Sequence, residues 1–381
     1  MNATSAIKTI ENNRPRIDPV GISLLCIGCV GITGNLVCVA ILRRHSFRNH
    51  TNWLIANQAV VDSLASTFLV ASEVTHLAGL KPSDMTYFGA FLLCKLWKSL
   101  AFVFGAYAIS TFNLVALSIE RYLAVVHPVW YLAHFKRRAV YILAVLTWVL
   151  APLFQMINAF LHNIVTDKRK CLYAPTYNHF IIVLFLWEYL IPVGIMTFSF
   201  FAIVKRFQHL NRVAEDRILR FPHSRQVGTP VPSVSTNGHS MSSSAIAYVA
   251  DARANKDQQE SITNTEASTS DAGPGLARGR ATPEVTIKNS KPGINGVLQR
   301  RNTTKVLIAV YLLYVLCWSP NQWAFLYFHL GGHLDPTFHK FSIILCTLNT
   351  CVNPFIYVLR LNIYRRELKS MIFSCVQRVL G

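Results

Sequence analysis

Glu120, Arg121 and Tyr122 stand together where a long apolar run gives way to a basic loop. A carboxylate beside a guanidinium forms an ion pair, and an arginine that costs roughly 3 kcal/mol at the centre of a membrane helix costs far less at its edge. This is chemistry for holding and releasing rather than for making bonds. Asp62, Ser110, Asn113, Asn349 and Asn353 lie inside apolar runs, and the last two, four residues apart, share one helix face. An aspartate in such surroundings needs polar partners, so these residues are expected to converge into one hydrated cluster. Neither a nucleophile with its base nor a histidine motif of metal-ligand spacing occurs within the runs. The chain is therefore not expected to be an enzyme.

The elements that must position these groups follow from composition. Of 381 residues, 52% are hydrophobic and only 14% charged, too apolar for an ordinary soluble protein. Seven runs are long enough to cross a hydrocarbon core, at 20–42, 53–77, 96–126, 139–160, 180–204, 306–328 and 341–359. Backbone groups in lipid must be satisfied within each run, which selects helices. The expected fold is an all-α membrane protein, a bundle of seven transmembrane helices. Prolines at 152, 192, 320 and 354 lie within runs and predict bends. Lys and Arg crowd the loops after spans 1, 3 and 5 and the tail, so those face the cytosol and the amino terminus lies outside. The net charge of +19 is then membrane-surface charge, not a nucleic-acid footprint. The resulting organisation is an extracellular segment 1–19, helices one to five over 20–206, a largely disordered Ser- and Thr-rich third intracellular loop over 207–301, helices six and seven over 302–359, and a tail over 360–381. Helices five and six are expected to run on into that loop.

Of nine cysteines, Cys94 and Cys171 alone face the oxidising side, which predicts one disulfide. Cys26 and Cys29 read as packing residues of span 1, and Cys375 as a site of acylation in the tail. Asn2 opens an outward glycosylation sequon.

Several ordered motifs together resemble the rhodopsin-like (class A) G-protein-coupled receptors: Gly34-Asn35-Leu36-Val37, Asn57 to Asp62, Cys94, Ser118 to Tyr122, Trp148, Pro192, Cys317-Trp318-Ser319-Pro320 and Asn353-Pro354-Phe355-Ile356-Tyr357. Residues 361–373 resemble the family's short amphipathic eighth helix, with Tyr364 where Phe is usual. The resemblance implies a multi-pass plasma-membrane receptor without a cofactor. Its expected partners are an extracellular ligand, a heterotrimeric G protein, arrestin, a receptor kinase and membrane lipid. It implies that Trp318 floors the pocket, that helix 6 swings about Pro320, and that Glu120, Arg121, Tyr122, Asn353, Pro354 and Tyr357 carry the change to the G protein. It also implies a sodium site at Asp62, Ser110, Asn349 and Asn353.

The chain departs from the pattern in three places. The foot of helix 6 reads Arg300-Arg301-Asn302 and offers no acid, so Glu120 is expected to be Arg121's only restraint and basal activity to be appreciable. Phe200 stands where Tyr is common, and the interval from Cys94 to Arg121 is two residues longer than usual. Neither Val103 nor Ala101 supplies the aspartate that an amine receptor carries on helix 3, and Thr347 is not the lysine of an opsin. The expected pocket comprises Glu73, His76, Lys98, Gln155, Glu188, Asn321, Gln322 and His329, ringed by Trp97, Trp187, Trp323 and Tyr327. Such a polar and aromatic cup suits a neuropeptide, whose basic group Glu73 or Glu188 would receive. The alternatives are a receptor for a non-amine small molecule or, in a different class, a transporter or channel. A transporter is disfavoured because no internal repeat is evident.

Overall fold

The computed structural model describes residues 19–44, 50–173, 178–220 and 292–380. Asn2, the segment 221–291 and the side chains of Arg300, Arg301 and Cys375 lie outside the described residues, and so do the expectations attached to them. Among the described residues, seven helices are long and apolar enough to cross a membrane: Pro19–Arg43, His50–Leu77, Tyr87–Val126, Arg137–His162, His179–Val213, Asn302–His329 and Pro336–Arg360. They are spans 1 to 7 below. Each lies within a few residues of its sequence-based limits, except that span 5 runs on to Val213 and span 3 starts earlier, at Tyr87, where Thr86 caps it by accepting from the Gly89 amide at 3.2 Å. Span 7 starts at Asp335, whose carboxylate accepts from the Phe338 amide at 2.8 Å, with Pro336 in the first turn. An eighth helix, Asn362–Leu380, follows at once and outruns its expected end at 373.

Two units divide the chain. The larger comprises Met1–Val204 with Lys305–Gly381 and contains the bundle; the smaller is Lys205–Thr304. In the smaller unit helix continues to Arg220 on one side and from Pro292 on the other.

The bundle is polar inside and apolar outside. Asp62, Asn35, Gln58 and Asn113 are fully buried, whereas Leu36, Val145, Phe198 and Leu316 are more than half exposed on the outer faces. Hydrocarbon on those faces reverses the usual gradient, so what drives association is close packing and internal hydrogen bonding. Close packing is tightest between spans 1 and 2, where a Cβ on Gly31 would lie 2.2 Å from Ser66 Oγ and 3.1 Å from Ser66 Cβ. Cys26 and Cys29 are exposed on the outside of span 1 and so are not packing residues, a correction to the sequence reading. The helical period turns them towards the lipid face.

Prolines and widened turns interrupt the spans. Span 4 breaks at Ala151-Pro152, between Arg137–Leu150 and Leu153–His162. Span 3 contains a π turn, Leu93–Lys98, then a left-handed residue, Leu100, at φ 57°, before Ala101–Val126 resumes. A π turn takes one more residue than an α turn. It accounts for one of the two extra residues between Cys94 and Arg121. Span 5 contains a second π turn, Leu186–Leu190, immediately before Pro192. Outside spans 4 and 5, β1 (Asn163–Val165) pairs antiparallel with β2 (Cys171–Tyr173), and a Cys94–Cys171 disulfide pins this hairpin to the top of span 3.

Candidate functional site

Three polar constellations lie along the bundle. At the end of the bundle where span 3 finishes, the Arg121 guanidinium grips Glu120 in a fork, Nε to Oε2 at 2.6 Å and Nη2 to Oε1 at 2.6 Å. Both residues are buried. Nη2 also donates to Thr51 Oγ1 at the foot of span 2, and Tyr131, on the short helix Pro128–His134, donates to Glu120 Oε1 at 2.6 Å. The His50 ring meets the Tyr131 hydroxyl at 3.1 Å. Glu120 is thus not the only restraint on Arg121. A contact between helices, to span 2, also holds it, and a threonine supplies it because a neutral oxygen suffices where the glutamate already carries the charge.

In mid-bundle, Asp62 accepts from Ser110 Oγ at 2.6 Å, from Asn353 Nδ2 at 2.8 Å, and from Gln58 Nε2 at 3.0 and 3.1 Å. Gln58 also lies 2.5 Å from Ser110 Oγ and accepts from Asn113 Nδ2 at 2.7 Å. Asn57 bonds Asn113 at 2.9 Å and receives the Trp148 indole N–H at 3.1 Å, which ties spans 2, 3 and 4 together. Asn35 donates to the Gly31 and Thr350 carbonyls, both at 2.8 Å, and ties span 1 to span 7. Asp62, Ser110 and Asn353 converge as expected. Asn349 is buried one turn away and makes no hydrogen bond to the carboxylate among those described. Both carboxylate oxygens are engaged by the Gln58 amide, so a sodium ion could bind there only by displacing it. Among the described residues no group of three or more His, Cys, Asp or Glu is arranged to hold a metal.

At the outer end a cavity of about 560 Å³ opens between spans 3, 4, 5, 6 and 7. Gln155, Glu188, Asn321, Gln322 and His329 line it, with Asn158 and with residues the sequence reading passed over: Phe104, Tyr173, Phe325 and His339. Glu73, His76 and Lys98 are not in its wall. Glu73 instead lies against span 1, its Oε2 3.4 Å from where a Cβ on Gly21 would be. The expected tryptophan ring also differs. Trp323 and Tyr327 are about half exposed on the outer face of span 6, Trp97 donates to Thr75 at 2.8 Å, and Trp187 packs between Phe112 and Phe154. Aromatic residues at span ends are held by the membrane interface, so spacing alone misplaces them in a pocket.

Glu188 owes its position to the π turn. Pro192 has no N–H to return to the carbonyl four residues earlier, which is that of Glu188, and the Tyr314 hydroxyl approaches that oxygen at 3.5 Å instead. The residue is 6% exposed. Oε2 accepts from Gln155 Nε2 at 2.8 Å, and Oε1 has no partner among the described residues.

The hairpin forms the roof. The disulfide holds β2 so that the Tyr173 hydroxyl reaches His329 Nε2 at 3.0 Å, and partial burial raises the Tyr173 phenol above its ordinary pKa. Trp318 does not floor the cavity. A ring series reaches it instead: Phe104 lies edge-on to Tyr107 at 5.8 Å, and Tyr107 edge-on to Trp318 at 5.7 Å. Below Trp318 and Pro320, Tyr311 packs at a tilt against Phe200, ring centres 5.3 Å apart, and its hydroxyl meets Thr197 at 2.6 Å. Tyr357 is buried beside Tyr364, ring centres 5.7 Å apart, at the start of the eighth helix.

Residues 34–357 match the family model of the seven-transmembrane receptors of the rhodopsin family. The chain is 27% identical over 234 residues to the octopamine receptor beta-2R of Drosophila melanogaster, covering 58% of this chain and 41% of that receptor. It is 30% identical over 207 residues to the dopamine D2-like receptor of the same fly, covering 52% and 21%. With the G-protein coupled receptor moody of Drosophila pseudoobscura pseudoobscura it shares 24% identity over 365 residues, covering 90% and 50%. In these matches the chain spans half or less of the length of its relatives. The crystal structure of squid rhodopsin superimposes with a TM-score of 0.60 at 16% identity, covering 94% of this chain and 85% of that one, which establishes the shared fold.

Proposed function

Because the chain belongs to the rhodopsin family of seven-transmembrane receptors, we propose that it sits in the plasma membrane with its amino terminus outside, binds an extracellular peptide and activates a heterotrimeric G protein. The observation that carries the peptide reading is the cavity. At about 560 Å³, walled by the side-chain amides of Gln155, Asn158, Asn321 and Gln322 and roofed by Tyr173, it offers many hydrogen-bond partners for a backbone. The positions where an amine receptor carries its span 3 acid hold Val103 and Ala101, both buried and apolar.

In this reading a ligand displaces Phe104, the movement passes through Tyr107 to Trp318, and span 6 turns about Pro320. Arg121 then exchanges Glu120 and Thr51 for the G protein, with Tyr122, Asn353, Pro354 and Tyr357 rearranging around it. The shift is driven only by the ligand's greater affinity for the open state. Residues 207–301 and the tail supply hydroxyls for a receptor kinase and then for arrestin.

The relatives named for octopamine and dopamine favour a second reading, a small amine. One screen separates the two: ligand-dependent guanine-nucleotide exchange in cells expressing the chain with a promiscuous G protein, challenged with a peptide library, octopamine and dopamine. Peptides that act at submicromolar concentration support the first reading. Responses confined to the amines overturn it, and ion flux or substrate uptake without exchange overturns both.

A further inference from the structure

We infer that the outer cavity is built around a ligand cation, an ammonium or guanidinium, and that its seat is Glu188 on span 5. Among the described residues only one carboxylate lines the cavity, and no lysine or arginine does; the remaining ionisable groups in its wall are Tyr173, His329 and His339. Tyr173 and His329 are bonded to each other at the roof. Gln155 gives Glu188 a single neutral donor, and Oε1, with no partner, is buried at the cavity wall. A buried acid left so short of donors is unfavourable unless something charged completes it.

The surroundings suit an organic cation better than a hydrated metal ion. Among the described residues no second acid lines the cavity, whereas the rings of Phe104 and Phe325 do, and aromatic faces attract alkylammonium and guanidinium groups. The acid lies on span 5, inside the π turn that precedes Pro192, and not on span 3, so a ligand would enter with its charged end towards spans 4 and 5. A charge-assisted hydrogen bond of this kind raises affinity about tenfold to a hundredfold over a neutral isostere. A basic peptide side chain and a small amine share this chemistry. The inference rests on the receptor reading for its biological meaning, but binding to purified protein tests it without a G protein, so the two can fail separately.

The test is thermal melting of purified receptor with matched pairs of probes: phenethylammonium against 2-phenylethanol, and a short capped peptide holding one arginine among phenylalanines against its citrulline counterpart. In wild type, at least one charged probe is expected to act at concentrations about tenfold or more below its neutral partner. Glu188→Gln is expected to erase that difference, and Gly194→Ala, on the same span but outside the cavity wall, to keep it. Should Glu188→Gln fail to fold, Glu188→Asp withdraws the carboxylate by one methylene and should weaken the charged probe about tenfold while leaving the neutral one unchanged. A preference confined to the peptide pair identifies a basic side chain as the source, one confined to the first pair a small amine, and either supports the inference. Equal action of charged and neutral probes in wild type overturns it. So does a charge preference that survives Glu188→Gln, or one that Glu188→Asp leaves unchanged.

Discussion

Replacing Gln58 by leucine should turn a sodium-indifferent protein into a sodium-dependent one. In wild type the Gln58 amide contacts both oxygens of Asp62, at 3.0 and 3.1 Å, and an ion could enter only by displacing it. Displacement forfeits a hydrogen bond to a charged group, about 1.5 to 3 kcal/mol, which weakens the apparent affinity for the ion roughly 10- to 150-fold. In Gln58→Leu, Asp62 keeps Ser110 and Asn353 as donors, and Asn113 keeps its bond to the Leu54 carbonyl at 3.1 Å but loses Gln58 Oε1 as the acceptor for its second N–H. The loss of the amide and that stranded N–H are partly offset by about 1.5 kcal/mol from burying a leucine, for a net cost of roughly 2 to 3 kcal/mol in the absence of sodium. Sodium at about fifteen times its dissociation constant then restores about 1.6 kcal/mol to the variant, while wild type, with its weakened affinity, gains about 0.5 kcal/mol or less. The assay is melting of purified receptor in sodium chloride against choline chloride at equal ionic strength. A sodium-specific gain in wild type as large as the variant's, or none in the variant, refutes the reasoning.

Other expectations concern the ends of the bundle. Thr51→Val removes the oxygen that Arg121 Nη2 reaches on span 2, a hydrogen bond worth about 1 kcal/mol, and should raise ligand-independent nucleotide exchange about fivefold; Tyr131→Phe should act in the same direction through Glu120. Unchanged basal exchange in both variants would show that these contacts do not limit activation. Gly31→Leu puts a side chain where even a Cβ lies 2.2 Å from Ser66 Oγ and should lower the melting temperature by an amount matching about 1 to 3 kcal/mol, with Gly194→Ala, which meets nothing within 4 Å, as the control. Cys94→Ser releases β2 and with it Tyr173, and should cost about 2 to 4 kcal/mol of stability. It should also abolish ligand response, read as surface expression and dose–response of the same cells.

Length and hydropathy make the seven spans legible, because lipid leaves a run of some twenty apolar residues few alternatives. The convergence of Asp62, Ser110 and Asn353 is legible for a related reason, since a buried acid has to be met by neighbours. Gln58 escaped notice although it carried a signal: a polar residue four before Asp62 in an apolar run shares its face. Thr51 and Tyr131 carried none, as a threonine at a loop boundary and a tyrosine in a loop are ordinary. Glu73, His76 and Lys98 were assigned to the pocket by height in the membrane, and height says nothing about which way a helix is rotated. The same blindness explains the exposed Trp323 and the unforeseen Phe104.

The π turns bear on how this chain can be set beside its relatives. Each inserts a residue without lengthening the span appreciably, so every side chain outward of it is turned by roughly 100° relative to one counted from the cytosolic end. Span 3 therefore keeps two registers, one anchored at Arg121 and valid up to Ala101, the other anchored at Cys94 and valid down to Lys98. Span 5 divides in the same way above Pro192, and Glu188 falls in the divided stretch. Swapping the outer third of either span with that of another receptor would succeed only if the widened turn travels with it.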